Sequence, residues 1–392
     1  MICLKKLKLL CCFLSVLLVF LTGILVCLIV NRESDGADIF KYYEKGTYRE
    51  YALNETYINF TGRSAVINDE IILSASGSGA EFVCKGDYAE ITLSPENENV
   101  LSSHLPRVAI FADGNLVADE CISYEKTYRI NTKYSGTVIS IIKLSEAMYS
   151  SLKVTKIASY GVKDIEPTQE KDFKIEFIGD SVTCGYGTDA GEYGSFSTAT
   201  ENFMKSYAYL TAEKLGADYS AVCYSGYGVL TGYTENGVKN NHIVMNEYGK
   251  ACHITAQEDP VWDFTKGKND IVIINLGTND ASYCGNSSFG KQQFTDAYVN
   301  MLTVVREKNP ESFILCILGD MNNSLFPSIE KAVSHYTVQH SDSRVLSFSV
   351  DFKMGENDIV IDGHPGPISN AHAADILAEK INSLIKFGFI ER

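Results

Sequence analysis

The chain has 392 residues, 45% of them hydrophobic, and its 49 acidic against 34 basic side chains give a formal net charge of -15. That length exceeds what one ordinary hydrophobic core spans, so two domains are expected. The acidic balance, with no basic stripe beyond the first residues, excludes a nucleic-acid partner, because phosphate binding needs clustered Lys and Arg.

Leu9 to Val30 is an almost unbroken apolar run. As a helix of about 22 residues it reaches roughly 33 Å, the hydrocarbon thickness of a bilayer. Lys5, Lys6 and Lys8 precede it and by the positive-inside rule stay cytoplasmic. Residues 1–36 therefore read as a cytoplasmic tip and transmembrane signal anchor, with the catalytic region facing outward. The alternative is a cleaved signal and a secreted protein, although a cleaved signal has a shorter apolar core and a small-x-small site. Four of the eleven cysteines lie in or beside this run. The other seven are odd in number and show no CxxC pair, so neither a disulfide framework nor a zinc site is indicated.

Residues 37–163 show short strands divided by turn signals. Glu70 to Ser74, Ala80 to Cys84, Ala89 to Leu93, Arg107 to Ala112 and Thr137 to Ile142 are apolar or β-branched, with no helical run among them. This spacing predicts an antiparallel β-sandwich, with a hairpin turn at Asp113-Gly114. Residues 164–172, charged and containing Pro167, read as a linker. From 173 to 392 the texture changes. Lys174 to Ile178, Asp218 to Cys223, Asp270 to Leu276 and Phe313 to Leu318 read as strands. Ala208 to Leu215, Phe294 to Lys308 and Ala371 to Phe387 carry three-to-four apolar spacing and read as helices. The alternation predicts an α/β domain with a parallel sheet, whose ligands gather at the carboxyl ends of the strands.

The chemistry-bearing turns fall at those ends. In Phe177-Ile-Gly-Asp-Ser-Val-Thr-Cys-Gly-Tyr-Gly187 a strand stops and offers Ser181 as a nucleophile. A turn built on Asp and Ser chemistry is the plain alternative. Gly226, in Tyr224-Ser-Gly-Tyr-Gly228, lets a backbone N–H approach a ligand, or serves as an ordinary turn glycine. Asn279, in Leu276-Gly-Thr-Asn-Asp280, offers an amide donor to an oxyanion or caps the next helix or loop. In Asp362-Gly-His-Pro365, His364 is the expected general base, and Asp362 can hold its ring. His372 reads as helical or core, and His242, His253, His335 and His340 as surface or structural. The serine lacks a G-x-S-x-G elbow. Gly185-Tyr-Gly-Thr-Asp-Ala190 fits a loose G-x-G-x-x-A pattern, but no convincing helix comes after it to hold a dinucleotide.

Gly-Asp-Ser, Gly226, Gly-Thr-Asn-Asp and Asp-x-His, in that order, resemble the SGNH or GDSL hydrolases. The resemblance is closer to carbohydrate esterase family 2, the two-domain acetyl esterases. It extends over Thr61-Gly-Arg63, Gly77-Ser-Gly79, Phe111-Ala-Asp-Gly114 and Lys143-Leu-Ser-Glu146, then over Ile175 to Gly187, Trp262-Asp-Phe264 and Asp362-Gly-His-Pro365. It implies a three-layer α/β/α hydrolase domain preceded by a jelly-roll-like sandwich. By the resemblance Ser181 is the nucleophile and His364 its base, with Asp362 as the third member or a backbone carbonyl in its place. The oxyanion hole is the Ser181 and Gly226 N–H groups with the Asn279 side chain. Trp262 matches a position near the sugar site, with a core role as the alternative. The implied reaction removes O-acetyl groups from xylan- or glucomannan-type saccharides and needs no metal or organic cofactor. The rivals are an esterase for lipid, thioester or cell-envelope acetyl groups, and a non-catalytic glycan-binding surface protein.

Overall fold

The computed structural model describes residues 46–255, 258–319, 321–355 and 358–392. The expected anchor, residues 1–36, lies outside them, and among the described residues no helix is long and apolar enough to cross a membrane.

The first half is built of β1 (Thr47–Glu50), β2 (Asn59–Thr61), β3 (Ser64–Ile67), β4 (Glu70–Leu73), β5 (Gly79–Cys84), β6 (Tyr88–Pro95), β7 (Arg107–Ala112), β8 (Asn115–Cys121), β9 (Lys126–Asn131), β10 (Thr137–Lys143), β11 (Leu152–Gly161) and β12 (Glu166–Pro167). They form two antiparallel sheets, one ordered β3-β4-β11-β6-β9 with β1 beside β11, the other β12-β5-β10-β7-β8 with β2 beside β5. Every second residue of β10 is buried, which turns Ile139 and Ile141 toward Ile71, Ile91, Leu93 and Ile157 of the facing sheet. Each such fully buried isoleucine contributes about 2 kcal/mol of burial. The β7–β8 hairpin closes on Asp113 and Gly114 at φ 48° and 74°, the positive pair of a type I′ turn. Glu166–Pro167, within the stretch expected as a linker, pairs with β5 and ties the connection to the sheet edge.

The second half carries β13 (Lys174–Gly179), α1 (Ser181–Cys184), α2 (Tyr207–Leu215), β14 (Asp218–Cys223), β15 (Ile271–Asn275), α3 (Asp280–Cys284), α4 (Ser288–Lys308), β16 (Phe313–Leu318), α5 (Phe326–His340), β17 (Val345–Ser349) and α6 (Pro367–Lys386). The strands form one parallel sheet in the order β14-β13-β15-β16-β17. All residues of β15 and β16 are buried because both sheet faces are covered. Ile175, Phe177, Ile273 and Leu315 pack with Ala208, Ala212, Leu377 and Ile381 of α2 and α6. On the other face Ile178, Val272, Ile274 and Cys316 pack with Tyr298, Leu302, Ile329 and Val333 of α4 and α5. Sequence spacing did not pick out α5, although Ile329, Ala332, Val333 and Tyr336 line one helical face and Pro327 sits in its first turn. It also passed over β17, an edge strand whose residues are mostly half-buried. Chain order reverses at β13, and a doubly wound sheet opens its ligand crevice there.

Buried charges join the two halves. Arg63 donates to Glu176 of β13 at 2.7 Å, with both side chains almost wholly buried. Arg107 of β7 pairs with Asp119 at 2.8 Å and also donates to the Ala199 and Glu201 carbonyls at 2.9 and 3.0 Å.

Candidate active site

Ser181 stands where β13 gives way to α1. Gly179 is required there, since a Cβ on it would lie 1.9 Å from Thr183 Oγ1. Asp180 caps the turn by accepting the Val182 N–H at 3.1 Å. Burial pushes its carboxyl up to about 7, Asp280 and Glu146 adding to the shift while the Val182 bond opposes it. The Ser181 hydroxyl, in a residue only 7% exposed, meets His364 Nε2 at 2.7 Å.

His364 arrives from a loop of 3₁₀ character between β17 and α6, in which Asp362 and Gly363 take φ 54° and 73°. Its Nδ1 lies 3.0 Å from the Ile361 carbonyl. A carbonyl only accepts, so Nδ1 carries the proton, and in the neutral ring Nε2 is left to accept the Ser181 hydroxyl. Burial pulls the histidine below its ordinary pKa, with the Ile361 bond and Asp362 acting the other way. The Asp362 carboxylate is exposed and accepts the Tyr186 hydroxyl at 2.8 Å, whereas the ring proton goes to Ile361. The expectation that Asp362 holds the imidazole is therefore corrected to the backbone carbonyl of Ile361, the residue just before it. The left-handed turn swings the carboxylate outward and brings the Ile361 carbonyl to the ring. Tyr186 also stacks on the imidazole, ring centroids 4.3 Å apart, and Phe196 stacks on Tyr186 at 4.2 Å.

Gly226 takes φ 78°, and a Cβ there would meet open space. The Gly226 N–H and the Ser181 N–H, at the first position of α1, are engaged by no acceptor among the described residues. Asn279 is buried and its Nδ2 donates to the Tyr227 carbonyl at 2.8 Å and to Asp180 at 3.3 Å. It thus links the Gly226 loop to the turn that bears Ser181. Asp280 entered the sequence reading only as part of a strand-end motif, yet its buried carboxylate accepts the Val229, Leu230 and Thr231 N–H groups at 3.0, 2.7 and 3.1 Å. Burial pushes it up to about 6 against those bonds. The Gly-Thr-Asn-Asp motif hence fixes the Gly226 loop with two consecutive side chains.

Trp262 departs from its expected place. Its ring lies 5.5 Å from the Arg63 guanidinium, in a hollow with Lys174, Asp218 and Asn269 at the starts of the strands. Ser181 lies past the opposite strand ends, about 15 Å further along at the rise of an extended chain. The indole faces the guanidinium of the Arg63–Glu176 pair. A cleft of about 340 Å³ runs between the two halves, lined by Tyr149, Tyr224, Tyr227, Lys250, His253 and Asp259 among others, with Tyr224 and Tyr227 on either side of Gly226 in sequence. His253, read from sequence as surface or structural, lies in it, bonded to the Tyr224 hydroxyl at 2.8 Å and to Asp259 at 2.9 Å.

Residues 177–342 match the GDSL-like Lipase/Acylhydrolase family. The cellulase/esterase CelE of Acetivibrio thermocellus is 30% identical over 253 residues, 63% of this chain, and the match spans 29% of that relative's length. An acetylxylan esterase / glucomannan deacetylase of Cellvibrio japonicus is 24% identical over 341 residues, covering 85% of this chain and 90% of that one. In fold, the structure of a family two carbohydrate esterase from Cellvibrio japonicus matches with a TM-score of 0.76 at 20% identity, over 87% of this chain and 99% of the other. The chain therefore carries a GDSL-like lipase/acylhydrolase domain, and its relatives in sequence and fold are esterases that include a carbohydrate esterase of family 2.

Proposed function

We propose that the chain is a serine esterase that removes O-acetyl groups from xylan- or glucomannan-type saccharides. One observation carries this: the 2.7 Å contact of Ser181 Oγ with a histidine nitrogen whose tautomer is set by the Ile361 carbonyl. Ser181 Oγ attacks the acetyl carbonyl carbon while His364 Nε2 takes its proton. The sugar oxygen leaves with that proton, and the acetyl group stays on Ser181. Water then attacks the acetyl-enzyme and gives its proton to Nε2, and acetate is released as Nε2 returns that proton to the departing Ser181 Oγ. The Ser181 and Gly226 N–H groups and Asn279 Nδ2 receive the oxyanion, the long bond from Asn279 to Asp180 being the one it displaces.

The saccharide reading is supported by the named activities of the relatives and by the cleft that Tyr224 and Tyr227, on either side of Gly226, help to line. That cleft presents tyrosine rings together with Glu96, Lys250, His253 and Asp259, a lining that suits a hydroxylated chain better than an acyl tail. The apolar run of residues 9–30 supports an anchored, outward-facing enzyme, which partition of the full chain between membrane and medium tests. The activity test is acetate release from acetylated xylan and glucomannan, and hydrolysis of 4-nitrophenyl acetate, by wild type and Ser181→Ala. Wild-type turnover no greater than that of the variant refutes the proposal.

A further inference from the structure

Several ties hold the segment from Tyr224 to Thr231: the Gly226 carbonyl accepts the Tyr233 N–H at 2.8 Å, and the Gly228 N–H donates to the His242 carbonyl at 3.0 Å. The Gly179 carbonyl accepts the Tyr224 N–H at 3.3 Å, Asn279 holds the Tyr227 carbonyl, and Asp280 holds Val229 to Thr231. All of these belong to the same half as the loop. One tie crosses from the sandwich: Glu146 Oε2 accepts the Ser225 N–H at 2.7 Å, on the residue just before Gly226.

Glu146 is itself tightly placed. It comes after β10, and its side chain is fully buried with those of Lys143 and Glu201. The Lys143 ammonium donates to the Ser145 and Glu146 carbonyls at 2.5 and 3.1 Å. Glu201 Oε2 accepts the Glu146 N–H at 3.0 Å. One oxygen of each carboxyl group, Oε1, has no partner, and burial raises both groups above the ordinary carboxylate range. Such a cluster is expensive to bury, and well-packed apolar side chains of similar volume would fill the space at less cost. What they could not do is accept the Ser225 N–H.

We infer that Glu146, contributed by the sandwich, is a positioning residue that fixes the Gly226 N–H for catalysis by holding the adjacent Ser225 N–H. The inference rests on the esterase reading above. It makes the sandwich a working part of the active site, because among the described residues the Ser225 N–H has its acceptor in the sandwich and not in the parallel-sheet half.

The test compares the full chain with Glu146→Ala and Glu146→Gln, measuring kcat and KM on 4-nitrophenyl acetate, melting, and amide hydrogen exchange of the peptide covering 224–231. Outright loss of one oxyanion donor costs about 10²- to 10³-fold in kcat. E146A, which only loosens one, is expected to lose about 10- to 100-fold in kcat with KM within about 3-fold, and to exchange faster in 224–231. E146Q keeps an acceptor oxygen and is expected within about 5-fold of wild type. Should E146A not fold, E146D, which withdraws the carboxylate by one methylene, takes its place with the same expectations. Wild-type exchange in 224–231 for E146A overturns the inference. So does an E146Q as damaged as E146A, since Glu146 would then serve only as charge partner to Lys143. If wild type itself hydrolyses nothing while E146A still loosens the segment, the esterase reading falls and the positioning role stands.

Discussion

Replacing Asp362 by Asn separates two ways of orienting His364. In the structure the ring proton goes to the Ile361 carbonyl at 3.0 Å, and the Asp362 carboxylate, exposed, takes the Tyr186 hydroxyl at 2.8 Å. Asn is the suitable replacement because residue 362 sits at φ 54°, which Asn tolerates, and its side-chain oxygen still accepts from Tyr186. An Ala there would add roughly 1 kcal/mol of backbone strain unrelated to the question. If the carboxylate oriented the ring, its loss would cost about 10⁴-fold in kcat, or about 5.4 kcal/mol. A screened, exposed carboxylate with no bond to the ring is worth no more than about 1 kcal/mol. Asp362→Asn is thus expected to keep kcat on 4-nitrophenyl acetate within about tenfold of wild type. A loss of about 10³-fold or more, with melting unchanged, would refute the backbone-carbonyl assignment.

The same geometry sets a pH profile and a stability cost. His364 must be neutral to accept the serine proton, and burial holds it below its ordinary value of 6.5, so kcat/KM is expected to stay on at neutral pH and fall only as pH drops through a midpoint below 6.5. The unfolded chain takes up that proton more readily than the folded one, so His364 also withdraws stability as pH falls below about 6.5, and an activity midpoint above about 7 would contradict the assignment. Arg63→Ala strands Glu176 in the interior beside Tyr248 and is expected to cost about 3–5 kcal/mol in denaturant unfolding. Arg63→Met with Glu176→Gln should recover most of that, and an R63A loss below about 1 kcal/mol would show that the pair does not hold the two halves together.

Alternation and apolar runs were legible wherever local pattern decides structure. Arg107 to Ala112, Asp218 to Cys223 and Phe313 to Leu318 form strands at the expected bounds, because such apolar and β-branched runs have no competing helical face. The edge strand β17 was not, since edge residues are half-buried and carry a weak pattern.

At the site, sequence alone determined which side chains could do chemistry. Ser181, His364, Gly226 and Asn279 come from four separate turns beyond strand ends, and a parallel sheet gathers such ends at one edge. Tertiary structure decided what those groups touch. Ile361 acts through a carbonyl every residue possesses, so no side-chain type could announce it. Trp262 and Asp362 were the right residue types in the wrong surroundings, one over Arg63 at the far strand ends, the other turned outward by a left-handed backbone. Glu146 and Ser225 are 79 positions apart, and only the docking of the sandwich brings that carboxylate to the N–H beside Gly226.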